Sequence, residues 1–88
     1  MDLEQYVRDI IAPYVTNSEA LMVRRMPGMN DNEIILLVIG ESNDIARLIG
    51  RGGQAAESIR EVVNVAGKLT NQRVRIKFES FAATEIDD

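Results

Sequence analysis

With 88 residues, the chain has room for one domain with a single modest core and too little for two. Hydrophobic residues make up 45% and charged residues 27%, the balance of a soluble globular protein, and no apolar run approaches the roughly 20 residues that span a bilayer. The sequence has neither cysteine nor histidine, which excludes disulfides, thiolate chemistry and the commonest general base and transition-metal ligand, and makes a cytoplasmic protein without catalysis or cofactor the expectation.

At the start, Asp2 is placed to cap a first helix, with Gln5 at the spacing of a capping box. Leu3, Val7, Ile10, Ile11 and Tyr14 then recur at three- and four-residue intervals, one apolar helix face, until Pro13 and Thr16-Asn17-Ser18 end it. Ala20 to Met26, with Leu21 and Val23 alternating, predicts a strand. Pro27-Gly28 and Asn30-Asp31-Asn32 predict a turn. Glu33 to Ile39, reading EIILLVI, suits a strand buried on both faces. After a break at Gly40 to Asn43, one of Ser42, Asn43 or Asp44 is expected to cap a short helix running to Ile49. Beyond the glycines at 50, 52 and 53, the spacing of Ala55, Ile59, Val62, Ala66 and Leu69 predicts the core face of a longer helix. Val62, Val63 and Val65 leave propensity ambiguous, and periodicity decides for helix. Gly67 or Asn71 supplies its stop. Val74, Ile76 and Phe78 alternate with Arg73, Arg75 and Lys77, a half-buried strand with one charged face.

The order is that of an α+β layer, with helices on one face of a three-stranded sheet. Residues 1–80 read as the single domain, and 81–88 as an acidic, disordered tail that keeps the protein soluble.

The formal charge of −4 is unevenly spread. From Ile45 to Phe78 the cations Arg47, Arg51, Arg60, Lys68, Arg73, Arg75 and Lys77 are opposed only by Glu57 and Glu61. Screening confines a charge's field to about 10 Å at ordinary salt, so this half can attract phosphate although the whole is acidic. The Arg73-Arg75-Lys77 stripe reads first as a device that keeps a sheet face soluble. Asp44, Glu57 and Glu61 read as solvated surface charges, since none lies in an apolar setting that would equip it for acid–base work.

Gly50-Arg51-Gly52-Gly53 interrupts helix where two helical patterns meet. Glycine takes positive φ at little steric cost and lets a second backbone come close. A helix starting near Gly53 would direct unpaired amides and its positive dipole end into the loop, a setting for phosphate, with Arg51 and Arg47 adding charge. Gly50, Gly52 and Ala55 also match G-x-G-x-x-A, but no strand precedes them and no acid stands about 20 residues on. A mononucleotide-binding loop would need Lys-Ser or Lys-Thr after the glycines, and neither is there.

Ile49-Gly50-Arg51-Gly52-Gly53, between a short and a longer helix that carries Ile59, resembles the G-x-x-G core of KH domains. The element order resembles the prokaryotic-type (type II) arrangement, α-β-β-α-α-β, from about Asp2 to Phe78. The chain is most similar to small single-domain bacterial KH proteins of the KhpA type, with Asp44, Arg47 and Ile49-Gly50 at matching positions. Those proteins often carry glycine where Ala46 stands and a basic residue where Gln54 stands; the first change narrows the groove beside the loop and the second removes a phosphate contact.

The resemblance implies single-stranded RNA binding of about four nucleotides, and a post-transcriptional regulator or RNA chaperone. Gly50, Arg51, Gly52 and Gly53 would meet phosphates, Arg51 and Arg47 supply charge, Ala46 and Ile49 line the groove, and Gln54 completes the set. No aromatic lies near the loop, so weak binding with modest base selectivity is expected. The resemblance also implies a homodimer, or a heterodimer with a larger KhpB/Jag-type KH protein, and no membrane partner. Net acidity and the scarcity of aromatics keep a second reading open: an assembly subunit whose loop and basic face dock a partner protein.

Overall fold

The computed structural model describes residues 2–81. Helix α1, Leu3–Ile11, starts where the Asp2 carboxylate accepts the Gln5 backbone N–H at 3.1 Å. The capping box is not closed: the Gln5 side-chain amide donates instead to Asp9 Oδ1 at 2.8 Å, one turn further on. Leu3, Val7 and Ile11 are buried, as the spacing requires. Tyr14 is exposed, because Ala12–Tyr14 leave the helix axis in a 3-10 turn that accommodates Pro13.

Strand β1, Met22–Pro27, begins later than expected, since Ser18–Ala20 form another 3-10 turn. It also runs through Pro27, which pairs with Ile34 at the end of an edge strand, where proline is tolerated. The turn is therefore shorter, closed by Gly28 N–H to the Glu33 carbonyl at 3.1 Å. Strand β2, Glu33–Gly40, lies in the centre, antiparallel to β1 and parallel to β3, Arg73–Ser80. A parallel return needs a long crossover, and the two later helices provide it.

Burial of β2 on both faces is corrected to burial on one. Ile34, Leu36 and Val38 lie under the helices, whereas Ile35, Leu37 and Ile39 are half-buried. Helices cover only one side of the sheet. On the other side the register sets Leu37 between Arg24 and Lys77, and Ile35 between Met26 and Arg75. The charged faces of Arg73, Arg75 and Lys77 are exposed, as expected.

Helix α2 spans Ser42–Ile49 and α3 spans Gln54–Leu69. None of Ser42, Asn43 and Asp44 caps α2; the N-cap is Glu41, without a side-chain bond. The core face of α3 is also corrected. Ala56, Ile59, Val63, Ala66 and Gly67 are buried, not Ala55, Val62 and Leu69. Neighbouring apolar residues at 55–56, 62–63 and 65–66 allow two overlapping faces. Packing selects the one whose small residues let the helix close on the sheet, with Gly67 against Val74. The helix stops at Asn71, which takes φ 58°, and the Gln72 N–H returns to the Gly67 carbonyl at 2.8 Å. After β3, the Phe81 N–H still reaches the Gly40 carbonyl at 3.0 Å; the rest of the tail expected over 81–88 lies outside the described residues. Among the described residues no helix is long and apolar enough to cross a membrane.

Candidate nucleic-acid interface

The chain leaves α2 at Gly50 in extended conformation, φ −75° and ψ 173°. A Cβ there would stand 2.8 Å from the Ala46 carbonyl oxygen, so glycine is needed for the backbone to fold back over the last turn of α2. Gly52 and Gly53 serve a different end. Both take left-handed conformation, with φ of 75° and 71°, and a Cβ at either would meet nothing within 4 Å. The Gly53 N–H closes the turn on the Gly50 carbonyl at 3.0 Å. Gly53 is the N-cap of α3 and has no side chain to satisfy the first-turn amides, so those donors and the positive dipole end face an open loop. Glu57 is the acid in that first turn.

The positions singled out in the sequence gather at this loop. Ala46, Arg47 and Gln54 are exposed, and Ile49 presents a large apolar side chain at 50% exposure beside Gly50. Arg51 lies in the 3-10 turn Arg51–Gly53. Arg47 is not a free cation: its Nη1 donates to Asp44 Oδ1 at 3.0 Å and to the Tyr14 carbonyl at 3.4 Å. Part of its charge is spent inside the protein, and the rest of the guanidinium faces solvent.

Asp44 is neither a cap nor a solvated surface charge. Only 1% exposed, it accepts the backbone N–H of Thr16 at 2.9 Å, the Thr16 hydroxyl at 3.0 Å and the Asn17 N–H at 3.2 Å. The Thr16 amide does most to hold its carboxyl below the usual value of 3.8; burial opposes this, and Asn17, the Thr16 hydroxyl and Arg47 reinforce it. The sequence signal was the polar Thr16-Asn17 pair, whose amides needed an acceptor that only the fold could bring. Glu57 and Glu61 are exposed, as read.

Sequence reasoning also missed a cleft. Between the exposed flank of α3 and the outer edge of β3 lies a space of about 540 Å³, with Arg60 and Asn64 on one side and Arg73 and Arg75 on the other. The Arg60 guanidinium sits 5.5 Å from the Phe78 ring centroid, which holds it over β3. The only advance sign was the excess of cations in this half of the chain. Among the described residues no cluster of carboxylates is arranged to hold a metal ion.

Helix, hairpin, two helices joined by a glycine loop and a parallel return strand, all on a three-stranded sheet, define a KH domain of the prokaryotic arrangement. The family model for the KH domain of KhpA and KhpB matches residues 4–78, and the chain belongs to that family, which is not one of enzymes. Among curated proteins, RNA-binding protein KhpA of Listeria monocytogenes serovar 1/2a is 24% identical over 75 residues, covering 85% of this chain and 96% of that protein. The proteins of the same name from Listeria innocua serovar 6a and Listeria monocytogenes serotype 4b match to the same extent. No solved structure matches significantly.

Proposed function

We propose that this protein binds single-stranded RNA through the Gly50–Gly53 loop and works in the cytoplasm as a post-transcriptional regulator or RNA chaperone. The observation that carries this reading is the pair Gly52 and Gly53, left-handed and unobstructed, immediately before the uncapped start of α3. Backbone amides there can approach a phosphate without a side chain in the way. Membership of the KhpA/KhpB family supports RNA as the source of that phosphate. Ile49 and Ala46 border the site and offer bases an apolar edge, Arg51 and the outer part of Arg47 add charge, and Gln54 adds an uncharged polar contact. Binding is weak per domain, because neither the loop nor the two helices that flank it carry an aromatic for stacking. Residues 1–80 are taken as the binding domain.

The test is Gly52→Asp combined with Gly53→Asp, which sets two carboxylates where phosphate would lie. Both positions open to solvent, so the domain stays folded by circular dichroism while crosslinking to RNA in cells is lost. Crosslinking at the wild-type level would show that the loop is not the contact. Affinity in vitro falls as salt rises, since phosphate contacts release counterions.

Partnership belongs to the same reading: a homodimer, or a pair with a larger KhpB/Jag-type KH protein. The rotation of α3 leaves Val62 at 43%, Val65 at 59% and Leu69 at 79% exposure along one side of the helix. An apolar stripe at this spacing supports a helix-to-helix contact, and two linked sites would raise the affinity of a weak domain.

A further inference from the structure

We infer that the face of the sheet turned away from the helices is a docking surface for an acidic amphipathic helix of a partner protein, its apolar ridge seated along β2 and its carboxylates reaching the cations of β1 and β3. The inference stands apart from the glycine loop and needs no RNA bound there.

The strand register lays this face out in rows. Met22 and Glu79 flank Ile39, Arg24 and Lys77 flank Leu37, and Met26 and Arg75 flank Ile35. The residues that alternate with them, Leu36, Val38, Val74 and Ile76 among them, are buried under the helices. A sheet face that only meets water carries polar residues. Here the middle strand presents Ile35, Leu37 and Ile39, with the exposed Met22 and Met26 beside them on β1. Methionine adapts its shape to its neighbour and recurs on surfaces that receive other chains.

Charge narrows the partner. Among the described residues the ion pairs are Arg25–Glu4 and Arg47–Asp44, and neither involves Arg24, Arg75 or Lys77. The acids of this face sit at its ends: Glu79 beside Ile39, and Glu33 beside Arg73, its carboxylate already accepting the Met29 N–H at 2.9 Å. Arg73 and Arg75 also border the cleft next to α3, whereas Arg24 and Lys77 do not, so these two mark the face itself. Cations gathered at the middle of an apolar face, in a chain of net charge −4, select an acidic partner.

Shape sets the occupant. Ile35, Leu37 and Ile39 are half-buried while the residues that flank them are exposed, so the apolar row lies recessed between higher walls. A flat lipid surface would meet the walls and miss the row. RNA laid on a sheet stacks its bases on aromatic side chains, and these rows hold none. An extended peptide would leave its backbone unpaired on a sheet face, whereas a helix satisfies its own. Neighbouring strands lie about 4.8 Å apart, which sets Arg24 and Lys77 about 10 Å from each other across Leu37. A helix with its side chains is about 10–12 Å across, so acids on both of its flanks come over the two cations together.

The experiment titrates the isotope-labelled full chain with a synthetic helical peptide of about fourteen residues, roughly 21 Å long, with leucines along one side and glutamates on both flanks. Amide shifts should move at Arg24, Leu37 and Lys77 and stay still at Gly52 and Gly53. Arg24→Glu/Lys77→Glu, at exposed positions, should weaken binding at least about tenfold while circular dichroism stays unchanged. Serine in place of the peptide's leucines should weaken it to a similar degree. The Gly52→Asp/Gly53→Asp protein should bind the peptide as the wild type does, whatever becomes of its RNA crosslinking; loss of peptide binding there would move the site to the loop and overturn the proposal. It is overturned as well by an absence of shifts at about 1 mM peptide, by equal binding of a lysine-flanked peptide, or by a double variant that binds as the wild type does. Oligouridylate or phosphatidylglycerol vesicles that shift the same rows, and lose their hold on the double variant, would assign the face to RNA or lipid and overturn the acidic helix.

Discussion

The carboxylate of Asp44 accepts the backbone N–H of Thr16 at 2.9 Å across a sequence separation of 28 residues. The bond fastens the start of α2 to the segment that follows α1, and the Asn17 N–H and Thr16 hydroxyl fill the remaining acceptor positions. Arg47 then spans from the same carboxylate to the Tyr14 carbonyl. Since α2 runs directly into Gly50, whatever fixes α2 fixes the start of the glycine loop. Asp44 and Arg47 thus hold in place the backbone from which the proposed RNA contact is made.

Asp44→Asn should lower the thermal midpoint at neutral pH, because an amide cannot accept from all the donors that surround the carboxylate. The folded carboxyl titrates below 3.8, so its stabilisation is full above that value and is lost as pH falls through the depressed folded value. Melting followed from pH 7 down to about pH 2 should show the gap between wild type and variant closing at the acid end. A gap of constant size would mean that the charge contributes nothing.

The loop glycines should differ in what they tolerate. Gly50→Ala places a Cβ 2.8 Å from a backbone oxygen and forces the end of α2 to shift, a loss of about 1–3 kcal/mol. Gly52→Ala meets no atom but must hold φ near 75°, at about 1–2 kcal/mol. Denaturant melts give both values. Amide chemical shifts decide the mechanism: changes should spread into Ala46 and Arg47 for the first variant and stay within the loop for the second.

On α3, Val63→Ala should cost about 2 kcal/mol, and Val62→Ala within about 0.5 kcal/mol of nothing in the monomer. The two differ only in which side of the helix meets the sheet. Comparable losses in urea melts at dilute concentration would reinstate the face built on Val62.

If the exposed side of α3 joins two chains, Val65→Asp should convert a dimer to a monomer in sedimentation experiments while leaving the melt of the monomer nearly unchanged. A dimer that survives this change has another surface.

Much of the fold was legible because its signals are local. Leu3, Val7 and Ile11 mark a helix face by spacing, EIILLVI marks a central strand, and the alternation from Arg73 to Phe78 marks a strand with one wet face. The glycine loop was legible too, since only glycine occupies a left-handed pair so readily. What escaped was contact between distant segments. Asp44 resembled a surface acid because its partners lie at Thr16 and Asn17, and Arg47 resembled a free cation for the same reason. The α3–β3 cleft joins residues that no local pattern connects.

By itself, then, the sequence determined the elements, their order and the break at Gly50–Gly53, because backbone preference and hydrophobic period act within a few residues. Tertiary structure decided which of two apolar sides α3 buries, since small residues at Ala56, Ala66 and Gly67 allow a close approach that periodicity cannot register. It also decided that the carboxylate of Asp44 is buried and satisfied, because burial of a charge depends on donors the rest of the chain delivers.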